Sequence, residues 1–314
     1  MKITACITAY NQQDFLAEAI ESVLAQTLRP AEILIIDDAS SDDSPAIITA
    51  YAGRYPELIS PTLREQNEGV VATFNHGLDA AGGDAISFLA GDDRWLPAKL
   101  EKEAQRMAAA DRPDGVYGDF YFTRADGRRT FRWAEKERPP EGQILPQVLA
   151  RDFPRRTLFR GELADVRFWR GIGRFDPAFD LYEDWDMHIR LAAHFRYAYV
   201  AEPLSEYRRH GGGLSTVPVE AHLAVVDQIE RKYASLFETL DATYGPYLRR
   251  KLASWRAHLW RQAALSLAVR RPPGFRAEAL RRYARSLAYQ FWPDPRLAWY
   301  LLRRPDPPHD QDSE

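Results

Sequence analysis

Short apolar, β-branched runs break abruptly on polar or acidic clusters, with helical spacing between them. This alternation limits the fold more than any other feature of the chain. Residues 3–10, ITACITAY, end on Asn11-Gln12-Gln13-Asp14; residues 32–36 end on the run from Asp37 to Ser44; residues 85–89 end on Ala90-Gly91-Asp92-Asp93. Between the first two, Phe15, Ala19, Ile20, Val23 and Leu24 recur at helical spacing until Arg29-Pro30 stops them. The same spacing predicts helices over 45–53 and, after the turn-rich 64–69, over 70–80. Strand, helix, strand, helix, strand is the pattern of an α/β, doubly wound sheet, mixed but mostly parallel. Such a sheet holds ligands at the carboxyl ends of its strands. Here those ends carry Asn11, Asp37-Asp38 and Asp92-Asp93. No G-x-G-x-x-G follows the first strand and no G-x-x-x-x-G-K-[ST] occurs, so the phosphate cradles of dinucleotide and P-loop proteins are not expected. A diphosphate on this sheet would instead be bridged to carboxylates by a divalent cation.

The middle of the chain predicts a strand over 115–122, a hairpin at Asp126-Gly127 and a Pro/Arg-rich stretch over 138–156. Tyr182-Glu183-Asp184-Trp185-Asp186 leads into helical spacing over 187–194, followed by a strand over 197–200. Tyr207-Arg208-Arg209-His210 and the glycines 211–213 read as a flexible loop with a cationic entrance. From 217 the pattern is helical, with one apolar stripe from Leu223 to Leu240 and another from Leu248 to Leu267. The expected organisation is therefore an α/β domain over 1–216, a C-terminal α-helical extension over 217–304 and a disordered polar tail over 305–314. No apolar run approaches the ~18–20 residues of a membrane span, and the start lacks a secretory leader, so a cytoplasmic location is expected. Cys6 is the single cysteine, which excludes an internal disulfide and fits a buried, inert thiol in a reducing compartment.

Six separated segments in order, ITAYN, EILIIDDASSDDS, NEGVVATFNHGL, GDAISFLAGDDRWLPAKL, FDPAFDLYEDWDMHIRLA and EPLSEYRRH, resemble the family 2 glycosyltransferases over about residues 1–215. The resemblance implies the GT-A fold, inverting chemistry, a nucleotide-sugar donor and Mg²⁺ or Mn²⁺. It assigns Thr8, Ala9 and Tyr10 to the nucleotide side, together with Asn67 and with Asp38, whose carboxylate would accept the N3–H of uracil or thymine. A carboxylate that only accepts favours a base with N–H at that edge. Asp37 is instead expected to begin a turn and cap the next helix. The family's Asp-x-Asp motif is partial, because Ala90 opens it. Asp93 is then the implied metal ligand and Asp92 the contact to ribose or donor sugar. Phe74 stands where many relatives carry Arg. Asp184 matches the catalytic base that takes the acceptor hydroxyl proton, with Glu183 and Asp186 capping or pairing with Arg190. His210 matches a loop that supplies a metal ligand in some relatives; Arg208 and Arg209 could instead neutralise the leaving diphosphate. The processive Gln-x-x-Arg-Trp motif is absent, which favours one sugar per encounter. The implied reaction is sugar transfer to a glycan or lipid-linked acceptor, as in bacterial surface polysaccharide assembly. The alternative is a nucleotide- or glycan-binding protein on a degenerate scaffold.

A net charge of −3 conceals a split. Residues 1–244 hold 28 basic and 39 acidic residues, whereas 245–304 hold 14 and two. Trp255, Trp260, Trp292, Trp299 and Tyr300 interleave with those arginines, and 296–304 has the composition of an interfacial anchor. Two readings stand side by side. The segment meets the inner face of the cytoplasmic membrane peripherally, or its apolar stripes pack on protein, including a second copy. No nucleic-acid-binding motif accompanies the charge, so nucleic acid is not an expected partner.

Overall fold

A computed structural model describes residues 1–210, 217–270 and 275–289. The glycines 211–213, the 296–304 segment and the 305–314 tail, for which the sequence carries expectations, lie outside the described residues. The chain divides into two compact units, Met1–Thr216 and Val217–Glu314.

The first unit is built on β1 (Ile3–Ala9), whose side chains are almost wholly buried. Parallel neighbours flank it, β2 (Glu32–Asp37) and β4 (Ala85–Ala90). Helices α1 (Leu16–Leu24), α2 (Ser44–Arg54) and α3 (Val70–Ala80) make the crossovers. Leu16, Ala19, Ile20 and Val23 of α1 are fully buried, the face that the sequence periodicity predicts. One parallel strand escapes the sequence reading: β3 (Ile59–Leu63) pairs with β2 although it contains Pro61. It lies at the sheet edge, where a residue without N–H costs no ladder bond on the open side.

The chain then adds β5 (Arg94–Trp95), α4 (Lys99–Met107), β6 (Gly115–Arg124), β7 (Arg129–Arg132), α5 (Leu145–Leu149), β8 (Leu163–Asp165), α6 (Val166–Ile172), α7 (Glu183–Ala192) and β9 (Tyr197–Arg209). The sheet order is β3-β2-β1-β4-β8-β6-β9-β5, with β7 hairpinned onto β6. β8 runs antiparallel to both β4 and β6 and joins the parallel half to the β6/β9 half. The sheet is mixed, with its long pairings parallel, as expected.

Two local expectations are corrected. Tyr207, Arg208 and Arg209 are not loop but the last residues of β9, paired in register with Phe122, Thr123 and Arg124. Strand alternation then sends Arg208 and Arg209 to opposite faces. Helix α7 begins at Glu183, so the acidic cluster is its first turn and not a lead-in to it.

A buried cation fixes the segment before β8. Lys99, 1% exposed, donates from Nζ to Glu103 Oε2 (2.5 Å), Gly161 O (2.6 Å) and Ser87 Oγ (3.0 Å), beneath the Trp95 ring. Gly161 adopts φ +57°, and a Cβ there would stand 2.9 Å from Phe88 O, so this close approach requires glycine.

The second unit contains α8 (Val219–Lys232), α9 (Ala234–Arg270) and α10 (Phe275–Tyr289). The first predicted stripe is divided: α8 stops at Lys232, and Leu236 to Leu240 belong to α9, which continues through Pro246. Leu248, Leu252, Trp255 and Leu259 of the second stripe are buried. Arg256 of α9 bonds Asp227 (2.7 Å) and Glu230 (2.7 Å) of α8, and Arg282 of α10 bonds Glu278 (2.8 Å) and meets Glu220 at 3.3 Å. Part of this unit's positive charge is therefore neutralised internally.

Replacing Lys99 by Met strips a buried carboxylate, Glu103, of its cation, and breaking such a pair costs about 3–5 kcal/mol. Urea denaturation should show that loss. A change below about 1 kcal/mol would mean that the Lys99 contacts contribute little.

Candidate active site

The carboxyl ends of β1, β2 and β4 are tied together by backbone hydrogen bonds. Thr8 O accepts from Gly91 N at 2.8 Å and Ala9 O from Asp38 N at 2.9 Å. A side chain at Gly91 would meet Gln12 Oε1 at 2.5 Å and Thr8 O at 3.1 Å, so glycine allows the acidic turn to lie against β1.

The expected nucleotide-side residues gather at this edge. Asp37 accepts from Ser40 N (2.9 Å) and Ser40 Oγ (2.5 Å), the expected turn, but it does not cap the next helix, which begins at Ser44 after Asp43. Asp38 is 4% exposed and accepts from Arg64 Nη1 (2.9 Å), Glu68 N (3.0 Å) and Gly69 N (2.8 Å). It thereby docks the loop that bears exposed Asn67 onto the end of β2. A carboxylate offers about four acceptor sites, so one remains for a ligand. Ala9 is buried, Thr8 half-buried and Tyr10 50% exposed beside them. Phe74 turns away into an aromatic cluster, stacked on Phe175 at 5.0 Å and edge-on to Phe88 at 5.1 Å.

The turn after β4 carries Asp92 and Asp93. Asp92 Oδ2 lies 2.8 Å from His210 Nε2. Asp93 Oδ1 accepts from Arg208 N at 2.8 Å, and Oδ2 lies 4.0 Å from Arg160 Nη2. Burial pushes the Asp93 carboxyl up to about 7, reinforced by the charge of Asp92 and opposed by Arg160 and Arg208. Arg208 itself is buried and reaches Glu18 at 2.7 Å across the Phe15 ring. Among the described residues, no three His, Cys, Asp or Glu side chains form a metal-binding group. The chemistry of Asp92, Asp93 and His210 nonetheless fits a hard divalent cation. Two adjacent carboxylates, one of them buried, present oxygen donors with surplus negative charge, and a bound diphosphate would contribute the remaining oxygens.

A second acidic group whose charge acts on Arg160 sits in the first turn of α7. Fully buried Trp185 anchors it by donating from Nε1 to Val148 O at 2.8 Å. Asp186 pairs with Arg190 at 2.9 Å, and His188 bonds Glu162 at 2.7 Å. Asp184 is half-buried, with Oδ1 accepting from Trp185 N at 2.7 Å, which leaves Oδ2 available. Burial, then the Asp184 charge, push the Glu183 carboxyl up to about 8.

Arg160 is the residue that sequence reasoning missed. Burial acts against its charge, but Tyr207, Asp93, Asp184 and Asp92 outweigh burial and hold the guanidinium above its ordinary value. It thus feels the acidic turn and the α7 carboxylate together, and only the backbone path through Gly161 puts it there.

A mixed, mostly parallel sheet of this order, with acidic loops at the carboxyl ends of β2 and β4, is the GT-A type fold of glycosyltransferases. The family model for glycosyl transferase family 2 matches residues 4–168, and the chain belongs to that family. The succinoglycan biosynthesis protein ExoO of Rhizobium meliloti is 31% identical over 250 residues, 74% of this chain and 69% of that protein. An uncharacterized Mycobacterium tuberculosis protein, Rv1520, is 33% identical over 218 residues, 66% of this chain; the match spans 58% of the mycobacterial protein's length. The structure of Staphylococcus aureus TarS 1-349 in complex with UDP-GlcNAc is similar with a TM-score of 0.59, covering 92% of each chain at 17% identity, a likeness of fold.

The Glu183 carboxyl should titrate near pH 8, seen by carboxyl ¹³C NMR, because its buried neutral form is favoured until then. Titration in the ordinary glutamate range would contradict the described burial.

Proposed function

We propose that the chain is an inverting glycosyltransferase that moves a sugar from a nucleotide-diphosphate donor to a hydroxyl of a glycan or lipid-linked acceptor, in bacterial surface polysaccharide assembly. UDP- and dTDP-sugars are the favoured donors. The observation that carries the reading is Arg160, 4.0 Å from Asp93 of the acidic turn and subject to the charge of Asp184 as well. In this arrangement one end of the site accumulates leaving-group charge and the other removes a proton. The UDP-GlcNAc bound in the TarS structure and the polysaccharide named for ExoO support the donor and acceptor classes.

In the proposed single displacement, Asp184 takes the acceptor hydroxyl proton as the oxygen attacks the anomeric carbon opposite the departing diphosphate. Glu183 stays protonated at neutral pH and so does not compete for that proton. The Arg160 guanidinium faces the charge that develops on the leaving group and needs no reorganisation to do so. Thr8, Ala9, Tyr10, Asp38 and Asn67 would hold the nucleoside and Asp92 the ribose or donor sugar. Mg²⁺ or Mn²⁺ held by Asp93, with His210 as a further ligand, would supply Lewis-acid stabilisation of the diphosphate.

No helix among the described residues is long and apolar enough to cross a membrane. The proposed setting is the cytoplasmic side, with 245–304 serving membrane contact or self-association. Cosedimentation with anionic liposomes of the full chain and of one ending near residue 244 separates these. Equal binding by both would dismiss the membrane role.

Asp184→Asn should lower turnover about 10²–10⁴-fold with UDP affinity nearly intact. Full activity in that variant would remove Asp184 from the mechanism. Asp93→Ala should weaken the Mn²⁺-dependent part of UDP binding in calorimetry. UDP binding with no transfer or hydrolysis of any tested UDP- or dTDP-sugar would identify the non-catalytic binding protein instead.

A further inference from the structure

A continuous row of rings leaves the reaction centre along one face of the β6/β7/β9 sheet. Tyr207 of β9 packs against Phe122 of β6 at 5.4 Å, and Phe122 against Phe131 of β7 at 4.5 Å. Each ring is capped by a guanidinium: Arg160 over Tyr207 at 4.1 Å, Arg209 over Phe122 at 5.0 Å and Arg155 over Phe131 at 3.9 Å. Stacking on a ring holds a guanidinium flat and leaves its N–H edge free to bond in the plane, the geometry that bidentate carboxylate or phosphate recognition uses.

The row also concentrates like charge in a way the fold does not require. Arg209 is directly opposite Arg124 in the β6/β9 register, and like charges so placed repel. Among the described residues no carboxylate forms an ion pair with either, and Arg155 pairs with one carboxylate, Glu135, at 3.1 Å and itself 54% exposed, while its Nε donates to Arg132 O at 3.3 Å. The segment that delivers Arg155 and Arg160 holds Arg151, Arg155 and Arg156 at φ +47°, +54° and +56°, which is unfavourable for residues with a Cβ. Repulsion and backbone strain are thus both tolerated, within residues 1–244 that are acidic overall. Arg155 lies two ring-to-ring steps beyond Arg160, which already faces the acidic turn, so a diphosphate at that turn does not account for it.

We infer that the acceptor is an anionic glycan, bearing carboxylates or phosphodiesters, laid over the exposed Arg209 and Arg155 that cap the row, with buried Phe122 as their support and not as a contact surface. This rests on the transferase reading for the reaction itself. The strip orients the acceptor, so that a hydroxyl at its near end arrives between Arg160 and Asp184.

The test compares binding of trigalacturonate, a glycerol-phosphate trimer and neutral maltotriose to the full chain by calorimetry, at low and at high salt, with UDP affinity measured on the same samples. At least one anionic trimer should bind about tenfold or more tightly than maltotriose, with the advantage shrinking as salt rises. Which trimer wins tells uronate from phosphodiester acceptors. Arg155→Gln and Arg155→Gln/Arg209→Gln should progressively abolish the preference, and Arg155→Gln should leave UDP affinity within about twofold, which shows that the variant is folded. Equal binding of the three trimers, no binding of either anionic trimer, or an unchanged preference in the double variant overturns the inference. Absence of UDP binding by the wild-type chain would count against the transferase reading and not against the strip.

Discussion

The site's geometry depends on one buried contact, the Lys99 ammonium on the Gly161 carbonyl. An ammonium with almost no solvent access must be satisfied by the protein, and its three acceptors come from α4, from β4 and from the segment before β8. Satisfying that charge therefore fixes where the chain passes at Gly161. The residue before Gly161 is then committed to the acidic turn and the residue after it, Glu162, to His188 on α7. Arg160 and Glu162 thus flank the one residue that the buried cation holds.

The neighbouring carboxyls follow the same logic of burial against charge. Asp93 and Glu183 have raised proton affinities for the same two reasons, loss of water and an adjacent acid. They share Arg160 as a counter-charge and differ in the second, which is Arg208 for Asp93 and His188 for Glu183.

Much of this was legible in the sequence where the determinant is local. The helix Val70–Ala80 matches its periodicity to the residue, and Asp37 forms the turn that the Asp-Asp-Ala-Ser-Ser run predicts. Determinants that act across the fold were not legible. β3 is concealed by Pro61 until its edge position is known. The strand character of Tyr207-Arg208-Arg209 is supplied by β6, more than 80 residues away in sequence. Arg160 carries no motif, because its role comes from the Lys99 clamp and from charges brought near by three other elements. In the second unit, arginines that compose a basic tail on paper are partly spent on Asp227, Glu230 and Glu278.

The junction strand β8 has a mechanical consequence. Only two residue pairs bind it to β4 and two to β6, far fewer than hold β1 to β2 or β6 to β9. The first unit therefore has a seam that few ladder bonds cross and that the Ser87, Lys99 and Gly161 contacts close. Because β8 is antiparallel to β4, the acidic turn that ends one strand and the arginine that precedes the other lie at the same end of that seam. Widening the 4.0 Å gap between Asp93 and Arg160 at that end would first have to break the contacts of Ser87 and Lys99 with Gly161.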